Sequence, residues 1–469
     1  MTGKKKLLWY NLALMAFTGV WSFGNIINGF AVYGGVRAVI PWLIIFGLYF
    51  VPYSLMVGEL GSAFSSEGAG VSAWIGKTIG PAAAYMAGWM YWVVHMPYIS
   101  QKPSKIIIAC GWAFFKDGRA QNMPPYLIAI ISLAIFALAV VMALRGMDFL
   151  KKISGIAGAA TFILSLMYIV MMFVSQAIVG SSFGDISLSL STYKPEINLQ
   201  FFLSMSILIF AVGGCEKVSP YVNRMRSPGK DFPIGMVVLA IMTTVSALFG
   251  TIAMGMMFDS NNIPKDLITN GGYYAFQMLG RHYGMGDLLM IVYAVCEFIT
   301  QLTVIIISID APLKMLLDNA DRRYIPENLF KKNENGVYVN GVKMVAVIVG
   351  ILIVIPVFGI GEMNDLVIWL VKINSVCMPM RYLWVFAAYI ALKALARKEN
   401  LQAEYHFIKN PTIGKAVGGW CFLLTFVSCV MGIYSKNRFE LIMNMLVPTC
   451  LIGLGFIMPH IAKRKKRKR

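Results

Sequence analysis

Gly19-Val20-Trp21-Ser22-Phe23-Gly24-Asn25-Ile26 and Phe210-Ala211-Val212-Gly213-Gly214-Cys215-Glu216 decide how this chain is read. Each is a poor helix former lying in the middle of a hydrophobic run long enough to cross a bilayer. Backbone that unwinds at membrane depth survives only where it is buried in protein or lines a cavity. Two such interruptions at matching places in a hydrophobic chain point to a substrate site between two broken helices.

The rest of the composition fits a chain solvated mainly by lipid. Of 469 residues, 58% are hydrophobic and 13% charged, with a mean hydropathy of +0.69, where a soluble domain carries roughly 25% charged residues. Lys4-Lys5-Lys6 precedes a run too long for a signal peptide's apolar region and lacking a small-residue cleavage site. The seven cysteines are scattered through apolar runs without CxxC or Cys/His clustering, so they read as small core residues rather than metal ligands or disulfides. No cofactor is expected. The net charge of +19 would suit nucleic acid, but its placement in alternate loops is that of a polytopic membrane protein, and no nucleic acid partner is expected.

A hydrocarbon core of about 30 Å takes roughly 20 apolar residues per helix. Twelve such runs fall near 8–34, 38–63, 82–115, 123–144, 152–176, 199–223, 232–258, 286–318, 342–360, 364–392, 414–433 and 440–461. The N-terminus, the even-numbered loops and the C-terminus hold 28 Lys and Arg, and the odd-numbered loops hold 8. That asymmetry places both termini in the cytoplasm of a multi-pass protein of the cell membrane. The tail Lys463-Arg464-Lys465-Lys466-Arg467-Lys468-Arg469 fits that side, either touching anionic lipid or as a solvated stop signal.

The expected fold is all-α, with twelve transmembrane helices and helices 1 and 6 broken. Five spans per half turn the halves over relative to one another, giving a 5+5 inverted repeat. Residues 1–198 form the first repeat, 199–392 the second, and 393–469 helices 11 and 12 with the basic tail. Direct sequence similarity between the halves is weak, so the repeat rests on hydropathy and break position.

An interrupted helix leaves unpaired N–H groups heading its second half and unpaired C=O groups ending its first. The former attract carboxylate and the latter ammonium. Two antiparallel broken helices side by side would therefore hold the backbone of an amino acid. Ser22, Phe23, Gly24 and Asn25 in the first break, and Ala211, Gly213 and Gly214 in the second, are the candidate binding residues. The glycines would let backbone approach ligand; alternatively they only permit tight helix packing. Trp21 and Phe23 flank the first break and would wall the same pocket or gate it.

Charges at membrane depth are the next candidates. They are Glu59, His95, Lys102, Lys105, Glu216, Lys217, Glu297, Asp310, Lys372 and Arg381. Glu59 and Asp310, toward the cytoplasmic side, read as ion pairs tying helices together. Glu216 follows the second break directly and either braces the unwound segment or carries a proton in gating, with Lys217 beside it. In the third run His95 and Lys102 recur at helical spacing and would line the pathway, although Pro97 and Pro103 blur the phase. Lys102 would pair with a substrate carboxylate or with Glu297. Glu297 and Gln301 share one face at i, i+4; a Glu297 free of lysine would suit an amine-bearing substrate instead.

Several motifs resemble the amino acid–polyamine–organocation permeases. Phe23-Gly24-Asn25-Ile26 stands where that family has a GSGIF-like signature. Glu67-Gly68-Ala69-Gly70-Val71-Ser72-Ala73-Trp74, ending at Gly80-Pro81, resembles its loop after helix 2. The stretch from Gly214 to Pro233 is similar to helix 6 and the following loop of the glutamate/γ-aminobutyrate antiporter branch. Pro312 to Pro326, with Lys332-Asn333-Glu334-Asn335-Gly336-Val337, resembles the region after helix 8 there. The resemblance covers nearly all twelve spans. It implies a LeuT-like arrangement, an aromatic gate at Phe210 and the family's helix 6 glutamate at Glu216. Ser22 and Asn25 vary the first-helix signature, and a lysine follows Glu216 where a small residue is usual. The basic pair Lys151-Lys152 lies only at the start of helix 5.

No GxxxxGK[ST] motif is present, so transport would run on gradients. The expectation is a secondary amino acid transporter, exchanging an amino acid for a related one or for its decarboxylated amine. Proton- or sodium-coupled symport of an amino acid or polyamine is the alternative. A channel is opposed by the 5+5 chain, and an enzyme by the lack of HExxH, GxSxG or paired-acid motifs.

Overall fold

A computed structural model describes residues 7–65, 70–146, 148–184, 189–318, 321–395 and 403–466. Glu67, Gly68 and Ala69 of the loop motif and Arg467, Lys468 and Arg469 of the tail lie outside these residues, as do the side chains of Lys151 and Lys152.

Every extended regular element among the described residues is a helix; strand-like pairing is confined to two isolated bridges, Leu7 with Met225 and Lys332 with Tyr338. The first run is two helices, α1 (Trp9–Val20) and α2 (Phe23–Val32). The second is α3 (Val39–Ile45), a π-turn over Phe46–Phe50 and α4 (Val51–Ala63). A short α5 (Val71–Thr78) leads to α6 (Pro81–Val93) and α7 (His95–Phe115), which together form the third run. Then come α8 (Pro125–Leu144), α9 (Asp148–Val179) and the single turn α10 (Leu190–Tyr193). The sixth run is α11 (Leu199–Val212) followed by a 3₁₀ segment over Cys215–Arg224. Beyond it lie α12 (Pro228–Met257), α13 (Leu267–His282), α14 (Leu288–Asp318) and α15 (Val339–Val354). The tenth run is α16 (Met363–Cys377), a 3₁₀ turn over Met378–Arg381 and α17 (Tyr382–Leu395). Finally α18 (Pro411–Gly432) and α19 (Arg438–Lys466) close the chain.

Among the described residues, ten helical stretches are long and apolar enough to cross a membrane. The first and third runs are not among them. At 1.5 Å per residue neither α1 nor α2 spans a bilayer alone, and α6 and α7 part at Val94. The sequence also places no irregularity in the tenth run, whereas the structure tightens it to a 3₁₀ turn at Met378–Arg381, around Pro379, with right-handed helical backbone on both sides. Proline lacks the N–H that an α-helix interior needs.

Packing is densest where α7 lies along α14 and α4 along α12. Small residues bring the second pair together: Gly58 backs onto Pro233, and a side chain at Gly61 would strike the Phe232 ring. α8 packs on both α14 and α15, α15 on α7, α9 on α14, and α16 on α7.

Candidate functional site

The first break is two residues wide. Trp21 (φ −110°, ψ 140°) and Ser22 (φ −144°, ψ 160°) are extended, and the helix resumes at Phe23. Asn25 supplies a local reason. Its amide Nδ2 donates to the Val20 carbonyl at 3.3 Å, an acceptor that a continuous helix would give to the Gly24 N–H. The second break is Gly213 (φ −82°, ψ 154°) and Gly214 (φ 114°, ψ 8°). The left-handed turn at Gly214 suits only glycine, and Pro220 keeps the following segment from returning to α-helix.

The two breaks meet. Asn25 Nδ2 also donates to the Ala211 carbonyl at 3.1 Å, so one side-chain amide joins the C=O ends of both first halves. Ser22 is exposed and its hydroxyl lies 3.5 Å from Asn25 Oδ1. A side chain built on Gly19 would meet nothing within 4 Å, and one on Gly24 only the Ser22 hydroxyl at 3.6 Å. The first break therefore borders open space, whereas Gly213 backs onto the Tyr382 ring.

Beside the second break is a buried charge cluster. Arg381 and Glu216 have fully buried side chains with Arg381 Nε 3.5 Å from Glu216 Oε1. The Tyr53 hydroxyl donates to Glu216 Oε2. Arg381 Nη1 contacts His95 Nε2 at 3.2 Å, and Nη2 donates to the Tyr382 hydroxyl at 3.3 Å. His95 Nδ1 faces the Tyr91 carbonyl at 2.6 Å. The Nδ1 proton must point at that carbonyl, so Nε2 is an acceptor for Arg381 and the ring is neutral. Lys217 lies along the Gly214 backbone.

Lys102 and Glu297 are not paired. Lys102 Nζ sits 3.8 Å above the Tyr98 ring, a favourable seat for a buried ammonium, while Glu297 Oε2 accepts from Gln301 Nε2 at 2.7 Å. Phe210 is half-buried three residues before Gly213 and packs toward the core that holds Ile99 and Ile306. Trp21 is buried and packs edge-on to Trp42 at 5.4 Å. Phe23 joins an aromatic plug with Tyr168, Phe276 and Tyr293 at centroid distances of 4.8, 5.4 and 6.1 Å.

The structural ion pairs divide. Glu59 ties α4 to α17 through Lys393 Nζ at 2.5 Å. Asp310 instead bonds Lys314 on its own helix at 2.7 Å, so it ties no two helices together. Sequence reading named Arg381 as a membrane-depth charge without assigning it to the site, and it missed Tyr53 and Tyr382. A lone arginine inside Met378-Pro379-Met380-Arg381 is the signal that would have found the first. The two tyrosines look like any aromatic in an apolar run.

A family model described as amino acid permease matches residues 7–456. The aspartate/glutamate permease AcaP of Lactococcus lactis subsp. cremoris is 45% identical to this chain, over 99% of it and 97% of the permease. The inner membrane transporter YjeM of Salmonella typhimurium is 25% identical over 87% of this chain and 85% of its own. A glutamate/gamma-aminobutyrate antiporter of Lactococcus lactis subsp. lactis is 23% identical, over 81% and 74% respectively.

Proposed function

The chain belongs to the amino acid permease family, and on that premise we propose that it is a secondary active transporter of acidic amino acids. It works by alternating access, exchanging one amino acid for another or for its decarboxylated amine. The observation that carries the binding mode is Asn25, which holds the two C=O ends on one amide. An ammonium needs acceptors of that kind, and a carboxylate would be taken by the Phe23 and Gly24 N–H groups that head α2. The acidic side chain is supported by the relative named for aspartate and glutamate, 45% identical along nearly the whole chain. It is supported also by the cations Lys102, Lys105, Lys217 and Arg381 around the core.

The architecture proposed is twelve spans in a LeuT-like 5+5 inverted repeat, residues 1–198 and 199–392, with 393–469 appended. α1/α2 and α6/α7 supply the first and third spans. Packing supports it: α4 lies on α12, α7 on α14 and α8 on α15, each against the helix five spans later. The contact of α9 with α14 is answered by α16 with α7. Both termini are placed in the cytoplasm by the basic loops, and the membrane is the cell membrane. Asn11, Leu14, Met15, Thr18 and Gly19 form one exposed stripe of α1 that leads to the exposed Ser22 in the break, more polar than lipid accepts. We take it as the wall of a cytoplasmic vestibule ending at the first break, with the aromatic plug around Phe23 closing the other side.

Counterflow into proteoliposomes with labelled aspartate, glutamate, asparagine, glutamine, neutral and basic amino acids and amines tests this. Uptake of the acidic pair is expected; no uptake from any member of the panel refutes transport. Proton-coupled symport is the second reading. It is favoured by Glu216 Oε1, which accepts no hydrogen bond although it is buried. A pH step across vesicles without internal substrate separates symport from obligate exchange.

A further inference from the structure

The charges at the second break do not balance. Glu216 is one acidic group set against two basic ones, Lys217 and Arg381, and His95 is neutral. Among the described residues no other carboxylate lies within 4.0 Å of Lys217 or Arg381. A guanidinium buried at membrane depth without a docked carboxylate is costly, so the cluster has room for one more acid.

Arg381 is also short of acceptors. Its guanidinium has five N–H donors and is fully buried. Two donors reach neutral groups, His95 and Tyr382. Nε has no hydrogen-bond acceptor, and Glu216 Oε1, 3.5 Å away, has no donor. A buried arginine and carboxylate ordinarily dock fork to fork; this pair does not. Gly213 and Gly214 carry no side chains, which leaves the guanidinium and the Lys217 ammonium against the backbone of the break. A Cβ at Gly214 would lie 3.3 Å from Lys217 Nζ and 3.4 Å from Arg381 Nη2.

An acidic amino acid has two carboxylates and one ammonium. The paired breaks take one of each, so the second carboxylate needs a cation within reach of the same backbone. Lys102 sits over the Tyr98 ring and Arg381 over the Tyr91 and Tyr382 rings, but of the two only Arg381 lies against the backbone of the second break. Resting on the acidic-substrate reading above, we propose that Arg381, assisted by Lys217, receives the side-chain carboxylate of the substrate and sets the preference for acids over their amides. The incoming carboxylate brings the missing negative charge and occupies the unused donors, so a neutral amide in its place leaves both deficits standing.

The test is equilibrium binding of labelled aspartate, with asparagine as competitor, to the purified full-length protein. In Glu216→Gln/Arg381→Gln both members of the pair are neutralised together, so neither is left as a buried charge without the other. The preference for aspartate over asparagine is expected to fall at least ~30-fold, the lower end of what losing a buried charged partner costs. A double variant that keeps the wild-type ratio overturns the proposal, because a merely structural pair would not move it. Should the double variant fail to fold, Lys217→Met is read instead. It is expected to weaken aspartate binding more than asparagine binding, and equal weakening or none overturns the proposal. Wild-type protein that binds other amino acids but not aspartate would overturn the acidic-substrate reading itself.

Discussion

Lys393→Met is expected to unfasten the segment that joins α17 to α18 from the helices it packs on. Glu59 is 2% exposed and accepts from Lys393 Nζ at 2.5 Å, Phe407 N at 3.0 Å and the Tyr389 hydroxyl at 3.1 Å, with His406 Nδ1 at 3.3 Å. Lys393 Nζ also donates to the Ile408 carbonyl at 2.6 Å, and Tyr405 N donates to Ser62 at 3.2 Å. The segment Ala403–Asn410 is thus stitched to α4 and α17 largely through one buried ion pair. Removing the lysine strands a buried carboxylate, which costs about 3–5 kcal/mol. Methionine keeps most of the side-chain volume, so the loss is electrostatic rather than a cavity. Glu59→Gln/Lys393→Met removes both charges and is expected to recover at least about 2 kcal/mol of that cost. Thermal unfolding in detergent, with the tryptic cleavage rate at the exposed Lys409 as a local probe, reads both effects. The single variant should melt earlier and be cut faster, and the double variant should recover part of each. If the two losses simply add, the ion pair does not hold the segment and the argument fails.

Gly213→Ala would drive a methyl into the Tyr382 ring; transport is expected to fall at least ~100-fold, seen in counterflow, with protein still present in the membrane. Glu216→Gln should impair transport more than equilibrium binding, as a coupling group would; equal loss of both would leave it only a structural role. Lys102→Ala is expected to shift the substrate profile in a competition panel, and an unchanged profile would discard it as a pocket residue.

Hydropathy alone made the breaks and most of the helices legible, because lipid imposes its length and polarity on each span separately. The first break was legible within Gly19–Ile26, where Gly19, Ser22 and Gly24 form helix poorly, but its confinement to Trp21 and Ser22 was not; the second followed from two adjacent glycines. Glu59 was legible as an ion-pair member because an isolated charge at that depth must be paired. Its partner was not, since Lys393 lies 334 residues away. Asp310 shows the same limit in reverse: its lysine was one turn along the same helix.

By itself, the sequence determined that this chain is a helical membrane protein interrupted at two matching places, since both facts rest on local chemistry read residue by residue. Only the tertiary structure decided that Asn25 joins the interruptions, that the tenth run tightens to a 3₁₀ turn beside them, and that Arg381 faces Gly214 with donors to spare. Those outcomes depend on which helices lie side by side, and a hydrophobic helix face packs against many partners equally well until the whole bundle closes.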